Sequence, residues 1–319
     1  MKRKIVCTSI TLVLSLGLIC YNHQYHCYGY PFVTTPSGLS YKTIGKKSSG
    51  KKVQDGQWIQ GFITIKVIHK KEANGDNHKE SIWINQQKYI FPFNNDFHLK
   101  NKKIAEMMGM MQEKQRMVFK CTPQYYLDEE NPARLAQLLK QYKLNQEDTL
   151  LVDIKLDKVM NHEEYSQMLA KCRSAQLAKD KQLIIDYLTT HHIQASSTDS
   201  GLFYTIDQPS QGTPVVKGQT IKVHYTGRLL DGTIFDTSVE EVAKANNLYN
   251  PHRGYQPLEF RVGEGRVIQG WEEGLLLLKK HEKARLFIPS ILAYGHDGVK
   301  GAIPENAILL FEVEVVDLC

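Results

Sequence analysis

The chain repeats itself. Thr35-Pro36-Ser37-Gly38-Leu39-Ser40-Tyr41 returns as Thr198-Asp199-Ser200-Gly201-Leu202-Phe203-Tyr204, with Thr, Ser, Gly, Leu and Tyr at matching places. Gly56-Gln57, followed by alternating Ile59 to Val67, returns as Gly218-Gln219 with Ile221 to Tyr225. Glu113-Lys114-Gln115-Arg116-Met117 returns as Glu282-Lys283-Ala284-Arg285-Leu286, a register that sets Tyr125 opposite Tyr294. Leu150–Leu156 returns as Leu309–Val315. Four matches in one order argue for two copies of one domain, each with its own core. A length of 319 residues is enough for both.

In the second copy the pattern predicts strands at Leu202–Asp207, Thr220–Leu229, Leu258–Val262, Lys283–Pro289 and Ala307–Val316. Leu230-Asp231-Gly232-Thr233 supplies a turn. One short helix, Gln269–Leu278, is strong. Val239–Gln256 is long for a loop and predicts a helical turn at Glu240–Asn246. Strands with a single helix mean α+β: one antiparallel sheet packed on one helix. Between the copies, Asn161 and Glu164 fit a helix-start box. Tyr165, Met168, Leu169, Cys172, Gln176, Leu183, Ile184, Tyr187 and Leu188 keep helical spacing on one face. This segment reads as a spacer docked on one domain or as a dimerisation helix, so a homodimer stays open. The plan is a first copy over 35–159, a helix over 161–193 and a second copy over 198–319.

The net charge of +6 is uneven. Gly201–Cys319 holds 12 Lys and Arg against 15 Asp and Glu, a balance of −3, and the rest carries +9. No nucleic-acid recognition motif accompanies the positive part, whose Lys46-Lys47 and Lys51-Lys52 pairs sit among Ser and Gly. No nucleic-acid partner is expected. Lys2-Arg3-Lys4 followed by the apolar Ile5–Ile19 reads as a secretory signal over 1–20, too short for a comfortable bilayer span. Cys20 ends the run and suggests lipid attachment; Cys27-Tyr28-Gly29 suits ordinary cleavage instead. Residues 21–34 read as a tether. The expected location is the periplasm or cell envelope, with or without a lipid anchor. The six cysteines are scattered and form no CxxC, so no metal site is expected and no cofactor is called for.

One stretch singles itself out. Val267-Ile268-Gln269-Gly270-Trp271 runs from two β-branched residues through a glycine into a tryptophan at a strand-to-helix corner. An indole there is either core or the floor of a small apolar cup. Around it, Val223-His224-Tyr225-Thr226-Gly227, Asp231-Gly232-Thr-x-Phe235-Asp236, Val267-Ile-x-Gly-Trp271-x-Glu-Gly274, Ala293-Tyr294-Gly295 and Ile303-Pro304 follow in order and spacing. Together, over about residues 201–319, these motifs resemble the FKBP-type peptidyl-prolyl isomerase domain. The first copy resembles a second, degenerate one.

The resemblance implies a half-barrel antiparallel sheet wrapped around a short helix, in two tandem copies joined by a long helix. It also implies an apolar pocket between sheet and helix. Carried over by motif, Tyr225, Phe235, Asp236, Trp271 and Tyr294 would do the chemistry. Leu258, Phe260, Val267, Ile268, Ile303 and Phe311 would line the substrate site. Trp271 would support a proline ring. The Ile268 N–H and the Tyr294 hydroxyl would hold substrate carbonyls. Asp236 would orient Tyr225 or face the rotating carbonyl. Leu258 stands where the family usually has an aromatic residue, and the loops after Ser238 and Gly295 depart from the compact pattern.

Other chemistry has little support. His224 alternates with Tyr225 and reads as structural or solvent-facing, and Gly263-x-Gly265 lacks phosphate-loop spacing. His281-Glu282 lacks the second histidine of a zinc motif, and no Ser-His-Asp pairing stands out. In the first copy Phe62-Ile63-Thr64-Ile65 stands opposite His-Tyr-Thr-Gly, no Phe-Asp pair follows, and no tryptophan precedes Met107–Met111. Only Tyr125 survives. Two functions therefore stand: an exported isomerase acting on X-Pro bonds of proline-containing polypeptides, with a non-catalytic first copy, or a holding chaperone or adaptor with incidental isomerase activity.

Overall fold

The computed structural model describes residues 31–45, 48–69, 80–128 and 131–319. The expected signal over 1–20, Cys20, Cys27 and the tether up to residue 30 lie outside the described residues. Cys121, Cys172 and Cys319 are free thiols. No helix among the described residues is long and apolar enough to cross a membrane.

The chain divides into two compact units, up to Met168 and from Leu169 onward. The first contains β1 (Val33–Thr34), β2 (Ser40–Ile44), β3 (Gln57–Ile68), β4 (Glu80–Phe93), α1 (Asn95–Lys100), α2 (Lys102–Gly109), β5 (Arg116–Cys121), α3 (Pro123–Leu127), α4 (Pro132–Tyr142) and β6 (Thr149–Met160). Its strands form one antiparallel sheet in the order β1-β2-β5-β6-β3-β4. The helix α5 (His162–Thr190) runs through the boundary. The second unit adds β7 (Ser196–Ser197), β8 (Phe203–Gln208), β9 (Thr220–Leu229), β10 (Ile234–Thr237), α6 (Glu240–Ala245), β11 (Leu258–Arg261), α7 (Gln269–Gly274), β12 (Lys283–Ile288) and β13 (Leu309–Leu318). Its order is β10-β9-β13-β12-β8-β7, with β11 also paired to β9. The fold is α+β, as expected, and the sheet occurs twice.

The duplication extends to individual hydrogen bonds. Thr35 N to Leu39 O matches Thr198 N to Leu202 O, and Val53 N to Met111 O matches Val215 N to Leu278 O. The Ser37 hydroxyl donates to Glu106 as the Ser200 hydroxyl donates to Glu273. Two positions before those glutamates stand Ile104 and Trp271, so an isoleucine replaces the tryptophan in the first unit.

The units differ where a strand is cut. In the first, β4 pairs with β3 along its whole length. In the second, that edge is split: β10 pairs with one end of β9, β11 with the other, and residues 238–257 lie between. The uncut β4 was not expected from sequence. It buries Tyr89, Phe91 and Phe93 in the first core. Tyr89, opposite Gly61, stands where Leu258 stands opposite Val223.

The start of α5 carries the expected box: Asn161 N donates to Glu164 Oε2 (2.9 Å) and Glu164 N to Asn161 Oδ1 (2.8 Å). The expected apolar face needs correction. Leu183 is exposed, and the buried positions are Asp180, Ile184 and Leu188, spaced four apart. Ile184 and Leu188 pack with Phe203, Phe287, Ile308 and Leu310. Leu286 and Ile288, flanking Phe287, point to the opposite side of the sheet, into the core that holds Trp271.

Candidate functional site

The second core is built around the indole of Trp271, which the first turn of α7 carries. Gly270 precedes it because a Cβ there would meet Ile288 of β12 at 2.3 Å. Tyr225 meets the indole edge-on at 5.2 Å between ring centres, Phe311 edge-on at 5.1 Å, and Phe260 tilted at 6.2 Å. Phe235 stands edge-on to Phe311 at 5.6 Å. These are favourable quadrupole geometries for buried rings. Each ring comes from a different strand: β9, β13, β11 and β10.

Exposure grades outward. Trp271, Phe311, Ile303 and Phe260 are buried, at 3%, 5%, 7% and 8%. Tyr225, Phe235, Val267 and Ile268 are half-buried against the same cluster. Leu258 (38%) and Tyr294 (42%) are exposed. Trp271 thus shows less surface than an open floor suggests, since three aromatic neighbours ring it. A separate groove of about 410 Å³, bounded by Leu229, Asp297 and Val299–Pro304, takes in Ile303 and none of the aromatic residues.

The polar side of the site is a closed triangle. The Tyr225 hydroxyl donates to Asp236 Oδ2 at 2.7 Å. Asp236 Oδ1 accepts the Thr237 N–H and Arg253 Nη1, at 2.9 and 2.5 Å. Arg253 Nη2 also donates to the Tyr225 oxygen, at 3.0 Å. Both carboxylate oxygens of Asp236 thus accept hydrogen bonds, Oδ2 from Tyr225 and Oδ1 from Thr237 and Arg253. Burial pushes the Tyr225 hydroxyl up to about 12, and the hydrogen bond to Asp236 adds to the shift. The hydrogen bond to Asp236 likewise raises Arg253.

Arg253 is the site residue that the sequence did not reveal. It lies in the segment that splits the edge strand, among Asn, Pro, His and Gly, with no motif to mark it. That segment orders itself: Asn250 N donates to the Tyr255 hydroxyl (2.8 Å), Tyr249 and Tyr255 stack, and Arg253 lies over the Tyr255 ring. Of the two readings of His224, the structural one fits its contact: Nδ1 lies 3.0 Å from the hydroxyl of buried Ser238. The Tyr294 hydroxyl has no hydrogen-bond partner among the described residues.

The sequence model described as "FKBP-type peptidyl-prolyl cis-trans isomerase" matches residues 211–316. An "FK506-binding protein" of Neisseria meningitidis serogroup C is 44% identical over 109 residues, covering 34% of this chain and 88% of its own length. The chain belongs to the FKBP-type isomerase family. A "Probable FKBP-type peptidyl-prolyl cis-trans isomerase" of Haemophilus influenzae is 43% identical over 122 residues, 38% of this chain and 44% of that one. "FK506-binding protein 2" of Yarrowia lipolytica is 46% identical over 102 residues, 32% of this chain and 62% of that one. The chain thus spans about half the length of several FKBP-type relatives it matches. The match falls on the second unit.

In the first unit Tyr89 takes the place of Leu258. Tyr89 is buried over Gly61, where a Cβ would meet its hydroxyl at 2.5 Å. Tyr125, expected to match Tyr294, donates to Glu106 Oε2 at 2.7 Å. The strand pairing corrects that register by two residues: Phe119, not Met117, stands where Leu286 stands, so Tyr125 is not at the place of Tyr294. Desolvation works against the Glu106 charge, but hydrogen bonds from Ser37 and Tyr125 hold its carboxyl below the usual range. The sequence also hid a polar line in this unit: His69 joins Asp148 (3.1 Å) to Ser81 (2.9 Å). Asp148 accepts the Asn145 N–H as well, so this line fastens a turn to the sheet edge.

Proposed function

We propose that the chain is a peptidyl-prolyl cis-trans isomerase acting on X-Pro bonds of proline-containing polypeptides through its second unit. Turning a peptide bond costs ~18–20 kcal/mol because amide resonance must break. X-Pro bonds populate both isomers and exchange over roughly tens of seconds unaided. The half-turned amide has lost its charge separation, so an apolar, water-poor surface suits it better than the flat ground state. Catalysis then follows from differential binding, with no nucleophile and no proton transfer. The observation that carries this reading is the indole of Trp271, ringed by Tyr225, Phe260 and Phe311.

In this reading the proline ring enters between Tyr225, Phe235, Val267 and Ile268 and rests toward Trp271. Leu258 and Ile303 touch the residues on either side. The Ile268 N–H and the Tyr294 hydroxyl hold the substrate carbonyls and favour the twisted form. Asp236 and Arg253 keep Tyr225 in place. The basic start and apolar run at 1–20 support action on exported polypeptides in the periplasm or envelope, with Cys20 as an anchor point. The test is isomerisation of a short Xaa-Pro peptide by the full chain against Trp271→Leu and Phe235→Ala. Wild-type activity with large losses in both variants supports the reading; an inactive wild type sinks it.

A holding role for the first unit has its own support. That unit keeps the fold while Tyr89 fills the equivalent place and Tyr125 is tied to Glu106. Suppression of client aggregation that survives Trp271→Leu would assign that role to it.

A further inference from the structure

We propose that Asp180 on α5 is a positioning residue for Tyr294, so that the helix as well as the sheet sets the rim of the isomerase site. The proposal rests on the isomerase reading above. Asp180 and Ser290 are both completely buried. A buried carboxylate persists only when its oxygens are satisfied. Here Oδ1 accepts from Gln176 Nε2 at 2.7 Å. Oδ2 accepts both from the Ser290 N–H at 2.8 Å and from the Ser290 hydroxyl at 2.5 Å.

Ser290 passes the constraint on. Its carbonyl accepts the N–H of Ala293 (3.0 Å) and of Gly295 (2.8 Å), the two neighbours of Tyr294. Asn306 N closes the far side of the loop on the Gly295 carbonyl at 2.7 Å. The Tyr294 side chain is exposed and unpaired among the described residues, so its backbone is what aims it. The same strand end is gripped from α5 by Tyr187, whose ring lies 6.0 Å from that of Phe287. An unbroken run of hydrogen bonds thus leads from α5 to both sides of Tyr294.

The test uses the full chain and measures kcat and KM for a short Xaa-Pro peptide. Asp180→Ala should lower kcat about three- to tenfold, the worth of one well-aimed hydrogen bond, with KM little changed. Asp180→Asn should recover most of the loss, because its amide oxygen can still accept both Ser290 donors. In a Tyr294→Phe background Asp180→Ala should add almost nothing, since the hydroxyl it aims is gone. Unchanged kcat in Asp180→Ala, or a loss that multiplies with that of Tyr294→Phe, overturns the proposal. If Asp180→Ala does not fold, Ser290→Ala removes one link and carries the same comparison. Amide hydrogen exchange at Ala293 and Gly295 should quicken in the Asp180 variant. An inactive wild type would overturn the isomerase reading alone, and the exchange rates would then decide the positioning role.

Discussion

Tyr125 and Tyr294 each follow corresponding strands of the two repeats, β5 and β12, and only one of them has its hydroxyl tied. Tyr125 donates to Glu106 at 2.7 Å, whereas Tyr294 is exposed with its hydroxyl open to a ligand. A tyrosine after this strand thus has a structural job in one unit and is an available donor in the other. Tyr125→Phe should therefore lower thermal stability by about 1 kcal/mol and leave peptide isomerisation unchanged. Tyr294→Phe should lower kcat/KM about three- to tenfold without moving the unfolding midpoint. Parallel melting curves and peptide exchange rates check both halves.

The aromatic core answers two questions at once. Removing the indole costs packing as well as any catalytic contact, and Trp271→Ala should cost about 3–5 kcal/mol in stability. Trp271→Leu fills more of the space and should fold. Its kcat/KM should fall by about tenfold or more, a loss set by differential binding rather than by fold. A folded Trp271→Leu protein with wild-type rates would remove the indole from the mechanism.

The triangle of Tyr225, Asp236 and Arg253 makes a separate claim. Arg253→Ala leaves Tyr225 its bond to Asp236 and should cost only about two- to fivefold in kcat/KM, since the pair is partly exposed. Asp236→Ala frees both partners and should cost more. Equal losses from the two variants would place Arg253 itself against the substrate.

Much of this was legible in the chain, for a physical reason. The strands of the second unit follow from local alternation, and β9 falls where the pattern put it, Thr220–Leu229. The repeat was legible because turns such as those at Gly38 and Gly201, both at positive φ, need the same residue each time. Trp271 and Tyr225 were legible because they sit in motifs, and Phe311 because it follows from the last strand of the resemblance. Arg253 was invisible because its partner Asp236 is brought to it by the folding of an insertion. Tyr89 was missed because an uncut β4 in one repeat and a split edge in the other cannot be told apart by period. Leu183 was assigned to the wrong face of α5 because that helix buries a carboxylate, Asp180, where an apolar pattern leads one to look for leucine.

Proton chemistry is absent from the proposed mechanism, and this fixes the pH profile. The Tyr225 hydroxyl, pushed up from 10.0 to about 12, keeps its proton throughout the physiological range. Because the folded value lies above the ordinary one, the contribution of the protonated phenol is fully present below about pH 10. It is lost as pH rises through about 12. kcat/KM should therefore be flat between about pH 6 and pH 9, with no bell shape. A titration near neutrality in kcat would require an acid or base that the site does not supply.

Gly227 shows how the two repeats trade volume between neighbouring strands. It stands opposite Phe311, while at the matching place in the first unit Ile65 stands opposite Val152. Ile65 and Val152 are fully buried, so side-chain volume fills the strand there. In the second unit that volume has moved to the rings: a Cβ on Gly227 would meet Phe235 at 2.6 Å and Phe311 at 2.7 Å. The glycine is required by this close approach. Gly227→Ala should force one ring aside, cost about 1–3 kcal/mol, and lower kcat/KM by more than the stability loss accounts for. Melting and peptide exchange at a temperature where the variant stays folded measure both terms. Wild-type rates in a destabilised but folded Gly227→Ala protein would show that the placement of Phe235 and Phe311 matters to the core and not to the substrate.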